Sequence, residues 1–277
     1  MKRSMAQSLI AVLLALVLCS VLQSQPSKVP QDQRGVALKG VVGASGLTFI
    51  DGYVVVLPER SRALYLYDRN IVSRARKHIT SSSPVTWKKR IRLDTEELSA
   101  PAGFEALQLR SYPDGFRQVI FALEKANTSE LCFTKPFRLT LNELNTLNIE
   151  KENRVSLQRG RYNEGVEALA LINGETICFS ERGGRFSRVR PHFGSERSFL
   201  EAKGIKGVTM RVTALAPITK TEYLAIHAEP NNLSFLAIQF ANTPPTTRQL
   251  ATKIPGGKDY FTKTSLNFEG LIRVDKG

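Results

Sequence analysis

The stretch "NEGVEALALINGETICFSERGG", Asn163 to Gly184, decides how this chain is read. An apolar run follows Gly165-Val166-Glu167. Asn173-Gly174 then supplies a tight turn, a second apolar run returns, and Ser180-Glu181-Arg182 ends it before two glycines. Asn-Gly between two such runs signals a hairpin, because both central residues of a type I′ turn need positive φ. One Glu opens the first strand and another closes the second, so antiparallel pairing carries both acids to the same edge.

Four further strings align with its first half: "GASGLTFI" at 43–50, "GFEALQLR" at 103–110, "RVTALAPI" at 211–218 and "NFEGLIRV" at 267–274. Each has a small residue (Gly46, Ala106, Ala168, Ala214, Gly270) followed by Leu and preceded by Ser45, Glu105, Glu167, Thr213 or Glu269. The units recur every 46 to 62 residues. The first four strings lead into second strands at 53–60, 118–125, 175–182 and 222–229, then third strands at 62–68, 129–137, 186–193 and 233–240. Asp51-Gly52, Asp114-Gly115 and Asn173-Gly174 sit in the first loop of three units. Helical periodicity is weak; 195–205 reads as a loop with a helical turn. Short β-rich units of three or four antiparallel strands at this period describe blades of a β-propeller, with the small residue at the narrow inner end. The expected fold is all-β, with about five blade units visible and the last incomplete, as in part of a six-bladed ring. A β-sandwich with similar hairpins is the competing architecture.

The start of the chain is a targeting segment. Lys2-Arg3 precedes an apolar run over 9–22, shorter than a spanning helix needs. Residues 1–24 read as a signal peptide or an uncleaved membrane anchor, 25–36 as a linker, and 37–277 as the propeller domain. Cys19 follows Leu18, the wrong size for lipoprotein processing. The protein is therefore expected to be secreted, periplasmic or anchored facing outside the cytoplasm. Three cysteines exclude a disulfide-stapled scaffold, and Cys132 and Cys178 fall on non-equivalent strands. The chain carries 39 Lys and Arg against 25 Asp and Glu, a net charge of +14, which favours anionic partners. The basic stretch over 69–93 has Trp87 as its one aromatic residue and lacks a nucleic-acid module. It reads as a solvated loop and outer strand, or as a contact for anionic envelope or lipid headgroups. No nucleic-acid partner is expected, and the protein is expected to be a monomer.

The strings "FEAL", "VEALAL" and "FEGLIRV", with strands ending in "ER" or "EK" and "FSERGG" at 179–184, resemble the phytase-like family, also described as esterase-like activity of phytase. The resemblance covers about 43–277. It implies an extracytoplasmic propeller with phosphate-ester or carboxylate-ester hydrolase activity. Ser45 and Thr213 depart from the pattern, standing where that family has acids.

Strand directions place Glu105, Glu167 and Glu269, which open first strands, on one rim with Glu59, Glu124, Glu181 and Glu229, which close second strands. Glu105, Glu167, Glu181 and Glu269 form the candidate metal set. Clustered carboxylates with flexible geometry suit calcium. Arg60 and Arg182, beside Glu59 and Glu181, are the candidate grips for an anionic ligand. His227, at a strand end near Glu229, is a candidate rim acid or base, with a structural histidine as the other reading. The rim reads in two ways, as a site for a cation and an anionic ester, or as an ion-pair ring fixing the blades of a scaffold. No Gly-x-Ser-x-Gly elbow, phosphate loop or dinucleotide fingerprint is present.

Overall fold

The computed structural model of this 277-residue chain describes residues 38–41, 43–71, 84–94, 103–125, 128–157, 165–180, 185–189, 199–204, 211–229, 232–241 and 245–251. The described residues build four antiparallel four-stranded blades in chain order. Blade 1 holds β1 (Ala44–Ile50), β2 (Tyr53–Pro58), β3 (Ala63–Asp68) and β4 (Lys89–Asp94). Blade 2 holds β5 (Gly103–Ser111), β6 (Arg117–Lys125), β7 (Thr128–Thr134) and β8 (Thr146–Leu157). Blade 3 holds β9 (Val166–Ile172), β10 (Glu175–Ser180), β11 (Arg185–Val189) and β12 (Phe199–Gly204). Blade 4 holds β13 (Arg211–Pro217), β14 (Glu222–Glu229), β15 (Asn232–Gln239) and β16 (Thr246–Ala251).

The first strand of each blade is innermost. β1 packs on β5, β5 on β9, and β9 on β13, so four of the five aligned strings lie side by side around one axis. This is a β-propeller arrangement. At the perimeter, β4 and the start of β8 pair in parallel through Arg92 with Thr146, Leu93 with Leu147 and Asp94 with Asn148, joining blades 1 and 2 into one eight-stranded sheet. The fifth string, at 267–274, and the apolar run over 9–22 lie outside the described residues.

Packing follows from strand alternation, which sends successive side chains to opposite blade faces. Leu57, Leu64 and Leu66 of blade 1 meet Phe104, Leu107, Phe121 and Leu123 of blade 2. Ile120, Ala122 and Leu131 on the other face of blade 2 meet Val166, Leu169 and Cys178 of blade 3. Ala168, Ile177 and Phe179 of blade 3 then meet Leu215, Ala225 and Leu236 of blade 4. Cys132 and Cys178 fall in two different layers, as their non-equivalent strands require.

The turns separate into two kinds. Asp51-Gly52 has φ of 52° and 82°, and Asn173-Gly174 has 51° and 80°, the positive pair that a two-residue hairpin needs. Asp114-Gly115 differs from expectation. It sits in a longer loop, closed by Tyr112 N donating to Phe116 O at 2.8 Å, where only Gly115 takes positive φ. The 195–205 stretch also differs: Phe199–Gly204 is the outer strand β12. Its residues have modest helical preference, which pairing with β11 overrides. Lys89–Asp94 forms an outer strand, with Arg90 and Arg92 exposed and Ile91 and Leu93 buried.

Candidate functional site at one end of the axis

Each inner strand has a β-bulge at the same place. Phe104 pairs with Leu123 and Ala106 with Ala122, leaving Glu105 as the extra residue. Ser45 is extra between Ala44 and Gly46, Glu167 between Val166 and Ala168, and Thr213 between Val212 and Ala214. The variable first position of the repeated triplet is thus the bulged residue in all four blades. A bulge bends its strand and re-aims a side chain, which is why this position is free to vary while its small and Leu neighbours repeat.

The inner strands surround a cavity at the axis, lined by the bulged Ser45 and Glu167, by Gly46, Ala106, Ala168 and Ala214, and by the leucines that follow these small residues; the bulged Glu105 and Thr213 are not part of its lining. Its volume is about 20 Å³, room for one water or one bare ion but not for an ester. Ser45 is fully buried, and its Oγ donates to Leu57 O at 3.2 Å. Glu167 is 8% exposed. Thr213 is 1% exposed, and its Oγ1 has no hydrogen-bond partner among the described residues.

Carboxylates also meet across the seams between blades. Glu59, just after β2, packs beside Gly43 of its own blade and Gly103 of the next. A Cβ on Gly103 would fall 2.9 Å from Glu105 Oε1 and 3.6 Å from Glu59 Oε1, so both carboxylates share that corner. Phe104 N donates to Glu59 O at 2.9 Å, tying the corner across the seam. One blade on, Glu124 packs against Gly165, where a Cβ would fall 3.1 Å from its Oε1. Gly103 and Gly165, which begin two of the aligned strings, are therefore residues over which the preceding blade lays a glutamate.

Glu59, Glu105, Glu124 and Glu167 lie at the expected edge, and the structure joins Glu59 with Glu105. Glu181, Arg182 and Glu269 lie outside the described residues. Glu229 does not belong to the row. Gly103 pairs with Glu124, whereas Arg211 pairs with Ala228, so the register puts Ala228 at the equivalent place and Glu229 opposite Asn232. Arg60 is at the seam mouth with its side chain 88% exposed, Nε 3.5 Å from the adjacent Glu59 Oε1. His227 is 4% exposed, with Nδ1 3.3 Å from Ser234 Oγ on β15, so it is built into blade 4.

Ser45 and Thr213, departures from an acidic pattern in the sequence, prove to occupy the same bulge as the acids. Their alignment with Glu105 and Glu167 was the available signal. All four bulge side chains offer oxygen, the donor type of hard cations. Among the described residues no group of three or more His, Cys, Asp or Glu side chains converges on a metal-sized site. A cation held here would therefore draw on hydroxyl as well as carboxylate oxygens.

The fold defines the class, a β-propeller. No protein-family model matches the chain, and no curated protein matches it in sequence. Solved structures similar to it include the PQQ-bound aldose sugar dehydrogenase of Streptomyces coelicolor, at 13% identity and TM-score 0.44, covering 73% of this chain and 61% of that one. A putative 6-phosphogluconolactonase of Bacteroides uniformis matches at 7% identity and TM-score 0.40, covering 77% of this chain and 57% of that one. The Swd1 β-propeller domain from Myceliophteria thermophila matches at 8% identity and TM-score 0.39, covering 77% and 74%. This chain thus spans less than two thirds of the dehydrogenase and of the lactonase.

Proposed function

We propose that the protein is an extracytoplasmic propeller that binds an anionic phosphate or carboxylate ester at the carboxylate end of its axis. The observation that carries this reading is the bulge shared by the four inner strands, two of whose residues, Ser45 and Glu167, line one cavity, with the Glu59–Glu105 pair and Glu124 at the adjoining seams. Carboxylates gathered at one rim repel an anion unless a cation lies between. Glu105 and Glu167, with Glu181 and Glu269 of the same repeat, would hold that cation. Calcium fits an all-oxygen set, and Thr213 Oγ1 is a buried oxygen with coordination to give. A bound cation would supply polarisation of the ester's oxygen. The cavity admits an ion but not an ester, so the ester would lie outside it, with Arg60 and Arg182 as its proposed grips. The phytase-like resemblance of the Glu-x-Leu strings supports ester hydrolysis as the activity, and the 9–22 apolar run supports export.

A scaffold without catalysis is the second reading. The packing of Glu59 over Gly43 and Gly103 favours it, since those contacts fasten blade to blade with no ligand required. Metal analysis after dialysis against calcium, with a screen of phosphate and carboxylate esters, separates the two. Bound calcium and ester turnover, both lost in Glu167→Gln, are expected. A metal-free protein that turns over no ester leaves only the scaffold. Fusion of residues 1–40 to a reporter active only after export tests the location.

A further inference from the structure

We propose that the seam between blades 2 and 3 holds a second anion site, anchored by Arg110, for a small oxyanion such as phosphate or a carboxylate group. It lies at the opposite end of the strands from the glutamates. Arg110 pairs with Gln118 near the β5–β6 loop, whereas Gly103 and Glu124 pair at the far end. The site is independent of the rim.

Arg110 is 5% exposed. Its Nη2 donates to Thr176 Oγ1 at 2.8 Å, and Thr176 is fully buried. Nε and Nη1 are buried and have no partner among the described residues, and no carboxylate there pairs with the guanidinium. An arginine guanidinium carries its charge with it into the protein interior. The rings of Tyr112 and Phe133 each lie 6.0 Å from Cζ, at the outer limit of cation–π attraction. That attraction acts on the face of the guanidinium and leaves the in-plane N–H groups of Nε and Nη1 without acceptors.

The neighbouring polar groups are already engaged with one another. Tyr112 Oη donates to Gln118 Oε1 at 2.8 Å, Gln118 Nε2 donates to Thr134 O at 2.9 Å, and Thr134 Oγ1 accepts from Val119 N at 3.1 Å. The charge and the two unspent donors of Arg110 therefore call for an acceptor from solution, and an oxyanion supplies charge and hydrogen-bond acceptors together.

The test is titration of the whole protein with inorganic phosphate and with acetate at constant ionic strength, following the arginine side-chain ¹⁵N resonances and the melting temperature. Binding should shift one buried Nε–H signal. At a hundredfold excess over the dissociation constant, the folded-to-unfolded ratio should rise about a hundredfold. Arg110→Met should abolish both responses. If that variant does not fold, Thr176→Val, which keeps the charge but removes the one aligning hydroxyl, should weaken binding about tenfold. Phosphate without acetate, or the reverse, identifies the ligand class. A wild type that responds to neither anion overturns the proposal, as does full binding by Arg110→Met or unchanged binding by Thr176→Val.

Discussion

Gly46 carries the tightest constraint among the inner triplets. A Cβ there would fall 2.8 Å from Leu107 Cβ and 3.1 Å from Leu107 N, atoms of the next inner strand that cannot swing aside. The other described blades take Ala at this place, so β1 and β5 approach closely where they meet. Gly46→Ala should therefore destabilise by about 1–3 kcal/mol, the usual range for overpacking, read as a lower urea midpoint. An unchanged midpoint would show that the inner strands are not packed this way. Glu143 offers a second check at this scale. Thr140 N and Oγ1 donate to its Oε2 at 2.8 and 2.7 Å, and these bonds lower its pKa from the ordinary 4.5. A depressed carboxyl adds stability above its unfolded value that is lost as pH falls through the folded one. Glu143→Gln should therefore lower stability slightly at neutral pH and flatten a small part of the stability loss on acidification below pH 4.5.

At the scale of elements, the hairpin turns act as fasteners as well as connections. Asp51, at the β1–β2 turn, accepts from Arg117 at the start of β6 and, at 2.9 Å, from Leu141 N. Asp51→Ala removes both and places a residue poorly suited to a φ of 52°. It should cost about 1–3 kcal/mol, with Asp51→Asn costing less because Asn tolerates the turn and keeps an acceptor. Equal losses from both would show that charge, not conformation, sets the energy. The strands themselves were legible in the sequence because their alternation and their Asp-Gly and Asn-Gly turns are local signals. The outer strand β12 was not, since "FLEAKG" carries no alternation and becomes a strand only by pairing with β11. The bulges were hidden for a related reason. Ser45, Glu105, Glu167 and Thr213 aligned by eye, but an unpaired residue is defined by its partner strand. Glu229 fell outside the rim row because the β13–β14 register puts Ala228 at the equivalent place, one residue earlier.

For the whole molecule, blade follows blade through alternating apolar layers, with polar fasteners at one end of the axis and carboxylates at the other. That division was half visible. Strand direction alone predicted acids on one rim, whereas Arg110 looked like any strand residue until the register set it on the same face as Ala106 and Gln118. The claim at this scale is that the acidic end of the axis holds a cation, and thermal melting of wild type and Glu167→Gln with and without calcium tests it directly. At a hundredfold excess over its dissociation constant, calcium should stabilise the wild type by about 2.7 kcal/mol. Glu167→Gln should lose most of that gain while its metal-free melting temperature stays close to the wild type's. A wild type whose melting does not respond to calcium, with Glu167→Gln less stable to the same degree in both conditions, would contradict the claim and leave the carboxylates as fasteners between blades.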